Sequence, residues 1–236
     1  MCPQFPVRSL WFESCSCFQV AITGRSTTAP TIRPVTGLRS SWYRTGFSAG
    51  GVRPTVDQVS LDPQRLGDNG KAADLRSYLD SIDAELARPM AVEKIAGNAS
   101  AYDAIYIPGG HGPMEDLFRC APLGEIITEL HDAGRVVTSV CHGPAGLLPA
   151  NRQDGRWLFQ GRRMTAFTNE EERLAGLAPR APWLLEDRLQ EQGAVFRAGP
   201  PWQSHVVADG NLITGQNPAS SRAATERTLA ELEVRT

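Results

Sequence analysis

The pair Cys141-His142 holds the residue types best suited to covalent chemistry in this sequence. It follows an apolar run over residues 135–140, and Gly-Pro and a new apolar face over 145–148 come after it, which predicts strand, tight turn and helix. A side chain at such a corner points out of the sheet, and the helix N-terminus and the neighbouring imidazole favour a thiolate. The alternative is a buried structural cysteine, which is how most isolated cysteines occur.

A glycine-rich turn, Pro-Gly-Gly-His-Gly-Pro over residues 108–113, follows a second short apolar strand predicted over 104–107. Paired glycines at the carboxyl end of a strand let backbone N–H groups approach a ligand closely, as an oxyanion hole requires. We therefore predict that Gly109, Gly110 and His111 bind the oxyanion or the substrate. A turn of this composition is by itself a weak signal.

Three consecutive glutamates, Glu170 to Glu172, follow Thr168-Asn169. Thr168 or Asn169 can cap a helix that begins here, and acidic residues in a first turn suit the helix dipole. Capping and solvation are therefore a sufficient explanation for any one of these glutamates. A role beside the cysteine is the alternative.

These stretches together resemble the PfpI branch of the class I glutamine amidotransferase-like superfamily, and most closely its glyoxalase III and stress-induced chaperone members. The matching segments are YDAIYIPGGHGPMEDL, SVCHGPAGLL, MTAFTNEEE, PWLLEDRLQEQGA and VVADGNLITGQNPASS, in the family's order and spacing from about Gly50 onwards. The resemblance implies that Cys141 is the nucleophile, that His142 is its partner, and that Glu172 orients the histidine.

The activity that the resemblance implies is that of a glyoxalase III-type hydro-lyase, which converts methylglyoxal and water to lactate without glutathione or another cofactor. The Cys141 thiolate would add to the aldehyde, N–H groups near Gly110 and His142 would hold the oxyanion, and a general base would move a proton between adjacent carbons. The alternatives are a stress-response holding chaperone, a protein deglycase, a peptidase, or a low-activity member that lacks the family's N-terminal glutamate. Amidotransferase chemistry is disfavoured because it needs a synthase partner domain.

The composition and charge of the chain limit the kinds of molecule that we expect it to bind. The 236 residues, 41% of them hydrophobic, are enough for one full core, and a net charge of −2 gives no electrostatic signature of nucleic-acid binding. No apolar run is long enough to span a membrane, and the five cysteines are not spaced as a zinc site. We expect a cytoplasmic protein with a small aldehyde substrate, no metal and no cofactor. The resemblance implies a homodimer.

Short apolar strands alternate with amphipathic helices, which predicts an α/β protein with a mostly parallel sheet. We expect a flavodoxin-like three-layer sandwich with a nucleophile elbow at Cys141 and the site at the carboxyl ends of the strands. The predicted helices are 72–95, 123–133, 183–192 and 222–234, and the further predicted strands are 162–167, 195–197, 205–207 and 211–214.

The segment 1–47 is atypical, whereas we expect 48–236 to form the PfpI-like domain. The segment holds five arginines, no lysine and Glu13 as its single acid, and it shows no apolar strand. If Ser40 and Ser41 use TCN codons, a shifted reading frame turns residues 39–43 into an apolar run. We therefore predict that this segment is out of frame and poorly ordered, and a genuine targeting or divergent segment is the alternative.

The last expectation from the sequence concerns oxidation. A thiolate that is open to a small-molecule pocket is the one most easily taken to sulfinic acid, so mild peroxide should modify Cys141 first. A regulatory disulfide with another cysteine is the alternative. Cys120 is predicted to be inert, and His205 is predicted to be structural.

Overall fold

The computed structural model describes residues 20–24, 31–35, 92, 95–99 and 102–234 of the chain. The strands are β1 Val20–Gly24, β2 Thr31–Val35, β3 Tyr102–Ile107, β4 Val136–Val140, β5 Arg163–Met164, β6 Val195–Phe196, β7 Val206–Asp209 and β8 Leu212–Gly215. The α-helices are α1 Ala121–Asp132, α2 Asn169–Leu174, α3 Leu185–Glu191 and α4 Ser221–Val234. Short 3₁₀ helices span Gly112–Met114, Leu117–Arg119, Gly143–Leu147, Ala178–Arg180 and Pro218–Ser220.

The main sheet has the strand order β2-β1-β3-β4-β8-β7. Its centre is parallel, because β3 pairs with β4 and β4 pairs with β8 in the same direction, whereas β1 and β7 join it antiparallel. Every residue of β4 is buried. Its sequence VVTSV is typical of a parallel strand that is covered on both faces.

Helices cover both faces of this sheet. On one face α1 buries Ile126, Ile127 and Leu130 in the larger hydrophobic cluster, together with Ile105 of β3. On the other face a smaller cluster joins residues of β3, β4 and β8 to Ala224 of α4. The prediction of an α/β, flavodoxin-like three-layer fold is therefore confirmed.

The carboxyl ends of the three parallel strands meet at one edge of the sheet. Ile107 at the end of β3 is in register with Ser139, and Val140 at the end of β4 is in register with Gly215. The segments that begin directly after these residues are therefore neighbours in space, which is where a doubly wound sheet places its binding site.

Two elements around Cys141 differ from the sequence prediction. The helix expected after the corner is only the 3₁₀ helix Gly143–Leu147. Two glycines and a proline within five residues explain this, since both types disfavour the α-helix. The strand expected over 162–167 is reduced to β5, because the chain beyond it bonds irregular partners: the N–H of Thr165 donates to Thr214 Oγ1 and that of Phe167 donates to the Cys141 carbonyl.

Within the segment 1–47 the structure contains β1 and β2, whereas no apolar strand was expected there. Ala21 of β1 is the antiparallel partner of Tyr106 in β3, and β2 extends the sheet beyond β1. The sequence VAITG of β1 is apolar and β-branched enough for a strand, a signal that the arginine-rich composition of the segment obscured. That the segment is out of frame and poorly ordered stays a prediction.

Other sequence predictions lie outside the described residues. They are the turn over 50–57, most of the helix over 72–95, Glu13, and the three cysteines Cys2, Cys15 and Cys17.

Candidate active site

Cys141 occupies a strained corner directly after β4. Its φ is 62°, a left-handed conformation that few residues other than glycine adopt. Two backbone hydrogen bonds hold it there, because its N–H donates to the Gly215 carbonyl at 2.8 Å and its carbonyl accepts from Phe167 N–H at 2.9 Å. The corner predicted from the sequence is present, and the backbone around it is fixed.

Two glycines allow the neighbouring chain to lie against this corner. A Cβ at Gly109 would lie 2.5 Å from Cys141 Cβ and 3.1 Å from its sulfur. A Cβ at Gly143 would lie 2.3 Å from the Ile107 carbonyl oxygen. Both positions therefore require glycine for close packing of the β3 and β4 ends, in addition to any role in ligand binding.

The His142 side chain connects the cysteine to a carboxylate. Its Nδ1 lies 3.4 Å from Cys141 Sγ, and its Nε2 lies 2.6 Å from Glu172 Oε1. An ionised carboxylate only accepts hydrogen bonds, so it places the imidazole proton on Nε2 and leaves the Nδ1 lone pair facing the thiol. This is the arrangement of nucleophile, base and orienting acid.

Aromatic rings fix the plane of the His142 imidazole. The His111 ring lies 4.1 Å from it and the Phe167 ring 4.5 Å from it, measured between ring centroids. Trp202 in turn packs edge-on against Phe167 at 5.5 Å. His142 is fully buried, so its two nitrogens are held toward Cys141 and Glu172.

Burial and charge set the ionisation of the pair. Burial lowers the pKa of His142 to about 4, the nearby His111 adds to this, and Glu172 opposes it. Burial by itself raises the pKa of Glu172, but its contacts with His111 and His142 outweigh this and lower the pKa to about 2. Near neutral pH the site therefore contains a neutral imidazole and a carboxylate.

Helix α2 positions Glu172 through its neighbour, Glu171. Thr168 caps the helix with a reciprocal capping box: its hydroxyl accepts from the Glu171 N–H, and the Glu171 carboxylate accepts from the Thr168 N–H. The capping predicted from the sequence is therefore present, with Thr168 as the cap. It orients the first turn so that the next residue faces His142.

Glu171 also connects α2 to two loops, which the sequence did not indicate. Its Oε1 accepts hydrogen bonds from the Trp202 backbone N–H and from Asn217 Nδ2, each at 2.8 Å. Asn217 follows β8 and reaches Glu171 rather than the cysteine. An Asn-Pro pair one residue beyond a strand was the available signal for such a contact.

The structure brings most of the predicted site residues together. Cys141 contacts His142, and His142 contacts Glu172. Gly109 packs on Cys141, and the next residue, Gly110, adopts a φ of 86°. His111 was predicted in the oxyanion turn, and its ring lies against His142 with Nε2 3.5 Å from Glu172 Oε1.

Cys120 and His205, which were predicted to have no catalytic role, both lie among packing or hydrogen-bonding partners of the fold. Cys120 is 1% exposed within the larger hydrophobic cluster. The His205 Nε2 lies 3.1 Å from the Arg197 carbonyl oxygen, and its backbone N–H donates to Ser220 Oγ.

Metal-ligating atoms also converge in this site. One donor atom each from His111, His142 and Glu172 lies within 4.8 Å of the others. No metal was expected from the spacing of the cysteines, and ligands that lie about 30 residues apart do not form a recognisable spacing.

Residues 82–231 match the DJ-1/PfpI family. The chain belongs to this family. The match includes the turn after β3, the Cys141 corner and the glutamates of α2, so it covers every predicted site residue.

Curated relatives and solved structures agree with this assignment. The chain is 34% identical over 144 residues to glutathione-independent glyoxalase HSP31 of Saccharomyces cerevisiae, covering 58% of this chain and 60% of that protein. It is 35% identical over 144 residues to glutamine amidotransferase-like class 1 domain-containing protein 1 of Bos taurus, covering 61% of this chain and 64% of that protein. The matches thus span less than two thirds of these relatives.

Among solved structures, glyoxalase III from Candida albicans superposes with a TM-score of 0.65 at 27% identity, covering 74% of each chain. No helix in the described part of the protein is long and apolar enough to cross a membrane.

Proposed function

We propose that this protein is a glutathione-independent glyoxalase that converts methylglyoxal or a similar small 2-oxoaldehyde to the 2-hydroxy acid. One observation carries the proposal: Cys141 Sγ, the His142 imidazole and the Glu172 carboxylate form a continuous contact chain, with distances of 3.4 Å and 2.6 Å. The names of the Saccharomyces cerevisiae and Candida albicans relatives support the substrate class.

The first step is addition of the cysteine to the aldehyde. The Cys141 thiol transfers its proton to His142 Nδ1, and the sulfur bonds to the aldehyde carbon to give a hemithioacetal. The imidazolium formed on His142 lies 2.6 Å from the Glu172 carboxylate, which stabilises its positive charge. Protonation is therefore favoured during the reaction although burial keeps the resting imidazole neutral.

The second step moves hydrogen within the substrate. A base removes the proton from the former aldehyde carbon, and the adjacent carbonyl carbon receives a proton, which gives a thioester of lactate on Cys141. Water then hydrolyses the thioester and regenerates the thiol. The sum is methylglyoxal plus water to lactate, so one substrate carbon is oxidised while its neighbour is reduced and no external redox cofactor is required.

The backbone N–H groups of Gly110 and His142 are our candidates for stabilising the oxyanion. Both belong to the two loops that meet at the Cys141 corner, and the Cys141 N–H itself is already bonded to the Gly215 carbonyl. Donors fixed by the backbone need no reorganisation when charge develops on the substrate oxygen. Gly109 and His111 would line the same side of the substrate.

The test is lactate formation from methylglyoxal in the absence of glutathione. We expect turnover by the unmodified protein, background rates for Cys141→Ala, and unchanged turnover for Cys120→Ala, a matched removal of a buried thiol outside the site. Lactate formation that survives Cys141→Ala would contradict the mechanism.

A holding chaperone is the alternative that the same experiment separates. Such a protein acts through exposed apolar surface and does not need Cys141. Equal suppression of aggregation by the unmodified protein and by Cys141→Ala, without lactate formation, would favour it. Release of lactate from glycated peptides, rather than from free methylglyoxal, would favour a deglycase.

We further propose a homodimer in the cytoplasm. The dimer is supported by the family resemblance, and a reducing compartment is supported by an odd number of cysteines, five in total. Light scattering of the purified protein and fractionation of the source cells test these two statements separately.

A further inference from the structure

Three nitrogen and oxygen donors converge beside the cysteine without including it. One ring nitrogen each of His111 and His142 and one carboxylate oxygen of Glu172 lie within 4.8 Å of one another. They come from three segments, the turn after β3, the corner after β4, and α2. We propose that His111, His142 and Glu172 form a zinc-binding site, which nothing in the similarity to glyoxalases assigns.

The spacing of these atoms suits zinc. Nitrogen and oxygen ligands bind Zn²⁺ at about 2.1 Å, so two ligands of a tetrahedral site lie about 3.4 Å apart. Glu172 Oε1 lies 2.6 Å from His142 Nε2 and 3.5 Å from His111 Nε2. These two values lie on either side of the ideal separation. The third pair, His111 with His142, lies within 4.8 Å, so the two imidazoles would have to approach each other by up to about 1.4 Å to complete the geometry.

The chemistry of the donors points to the same ion. Two imidazoles and one carboxylate are the protein ligands of several catalytic zinc centres, where a fourth position stays open for water or substrate. His111 is the partly exposed member of the set, whereas His142 and Glu172 are buried. An ion would therefore enter past His111 and take its fourth ligand from that side.

An independent observation is the second oxygen of Glu172. Oε2 is buried and accepts no hydrogen bond from any residue that the structure describes. Burying a carboxylate oxygen without a donor is unfavourable. A cation that contacts this oxygen as well as Oε1 would offset the cost, which distinguishes Glu172 from the fully bonded Glu171 beside it.

The orientation of the His142 ring keeps Cys141 out of this site. Cys141 Sγ contacts Nδ1 of His142, whereas Glu172 contacts Nε2. The lone pairs of the two ring nitrogens point in different directions, so an ion on the Nε2 side does not face the sulfur. The site is therefore of the nitrogen and oxygen type, unlike the thiolate sites that most cysteine spacings suggest.

Zinc on Nε2 and the catalytic proton on Nδ1 would compete for the same imidazole ring. When Nε2 binds the ion, the ring proton resides on Nδ1, and Nδ1 can no longer accept the proton of Cys141. Zinc would thus inhibit the aldehyde reaction. This consequence rests on the proposed function, whereas zinc binding does not.

The test uses cobalt as a spectroscopic probe and zinc as its competitor, on metal-free full-length protein. The spectrum of the cobalt-loaded unmodified protein minus that of His111→Ala isolates this site from any other thiol or surface site. We expect visible ligand-field bands without a sulfur-to-cobalt charge-transfer band, one equivalent of cobalt, and displacement by Zn²⁺. Cys141→Ser and the control His205→Ala should keep these bands, and Glu172→Gln should lose them or bind at least tenfold more weakly.

Three results would overturn the proposal. They are a difference spectrum of zero, a sulfur-to-cobalt band that disappears in Cys141→Ser, and equal cobalt affinity in Glu172→Gln. Lactate formation together with a zero difference spectrum would remove the zinc site and leave the proposed function standing. Cobalt binding without lactate formation by the metal-free protein would remove the proposed function and leave the zinc site standing.

Discussion

Glu171 and Glu172 are consecutive, both buried in the first turn of α2, and they differ in how their oxygens are satisfied. Glu171 accepts hydrogen bonds on both oxygens, from the backbone and hydroxyl of Thr168, from the Trp202 backbone and from Asn217. Glu172 has a short contact with His142 and a longer one with His111, both on Oε1, while its Oε2 is buried without a donor among the described residues.

This difference indicates that Glu171 stabilises the fold, whereas Glu172 is available for chemistry. A carboxylate whose oxygens are bonded to backbone and amide donors fixes the elements around it and has no capacity left for a ligand. A carboxylate shared between histidines can respond to a change of charge on either ring. We therefore expect substitutions of Glu172 to lower activity and substitutions of Glu171 to lower stability.

The largest expected effect is that of Glu172→Gln on turnover. The amide keeps the shape of the side chain but removes the charge that stabilises the His142 imidazolium, so kcat should fall by about 100-fold or more, equivalent to about 2.7 kcal/mol. Steady-state lactate formation measures this, and Glu170→Gln, at an exposed position of the same turn, is the matched control. A fall of less than about threefold would remove Glu172 from the mechanism.

Glu171→Ala should instead affect folding. It leaves the buried donors of Thr168 and Asn217 and the partly buried N–H of Trp202 without this acceptor, and we expect the free energy of unfolding to fall by about 3 kcal/mol. Urea denaturation compares it with Glu170→Ala, which should change stability by less than about 0.5 kcal/mol. Unchanged stability with lost turnover would reverse the roles of the two glutamates.

Gly109→Ala tests whether the corner needs its close contact with the β3 turn. The new Cβ would lie 2.5 Å from Cys141 Cβ, so the sulfur must move, and we expect kcat/KM to fall by about tenfold. At Gly112 an added Cβ meets nothing within 4 Å, so Gly112→Ala should retain activity. Equal activities of the two variants would contradict the packing argument.

The smallest effect is expected at the cap of α2. Thr168→Ala removes the hydroxyl that bonds Glu171, which should cost about 1 kcal/mol of stability, whereas Thr168→Ser keeps that oxygen and should cost less. Thermal unfolding of the two variants measures the difference. If the serine variant is as unstable as the alanine variant, the capping hydroxyl contributes nothing.

Local patterns in the sequence were sufficient to predict much of the fold and the site. The apolar runs ending at Ile107 and Val140 indicated two parallel strands, and Thr168 with its glutamates indicated a capped helix. The roles of Cys141, His142 and Glu172 came from the family resemblance, and their contact distances agree with those roles.

Other features could not be read from the sequence because they depend on distant partners. Glu171 meets Trp202 and Asn217 across 31 and 46 residues. The convergence of His111 with Glu172 likewise arises only when the ends of β3 and β4 are placed side by side. The helix expected after Cys141 is a 3₁₀ turn, so we expect activation of the thiol to depend more on His142 than on a helix dipole.

The central claim is that His142 and Glu172 activate Cys141, and the reactivity of the thiol tests it without reference to any substrate. The alkylation rates of Cys141 and Cys120 by iodoacetamide are followed by peptide mass spectrometry in the unmodified protein, in Glu172→Gln and in Glu170→Gln. We predict that Cys141 reacts much faster than Cys120, that Glu172→Gln slows Cys141 by about tenfold or more, and that Glu170→Gln leaves it unchanged. Equal rates for the two cysteines, or a Cys141 rate that does not respond to Glu172→Gln, would contradict the claim.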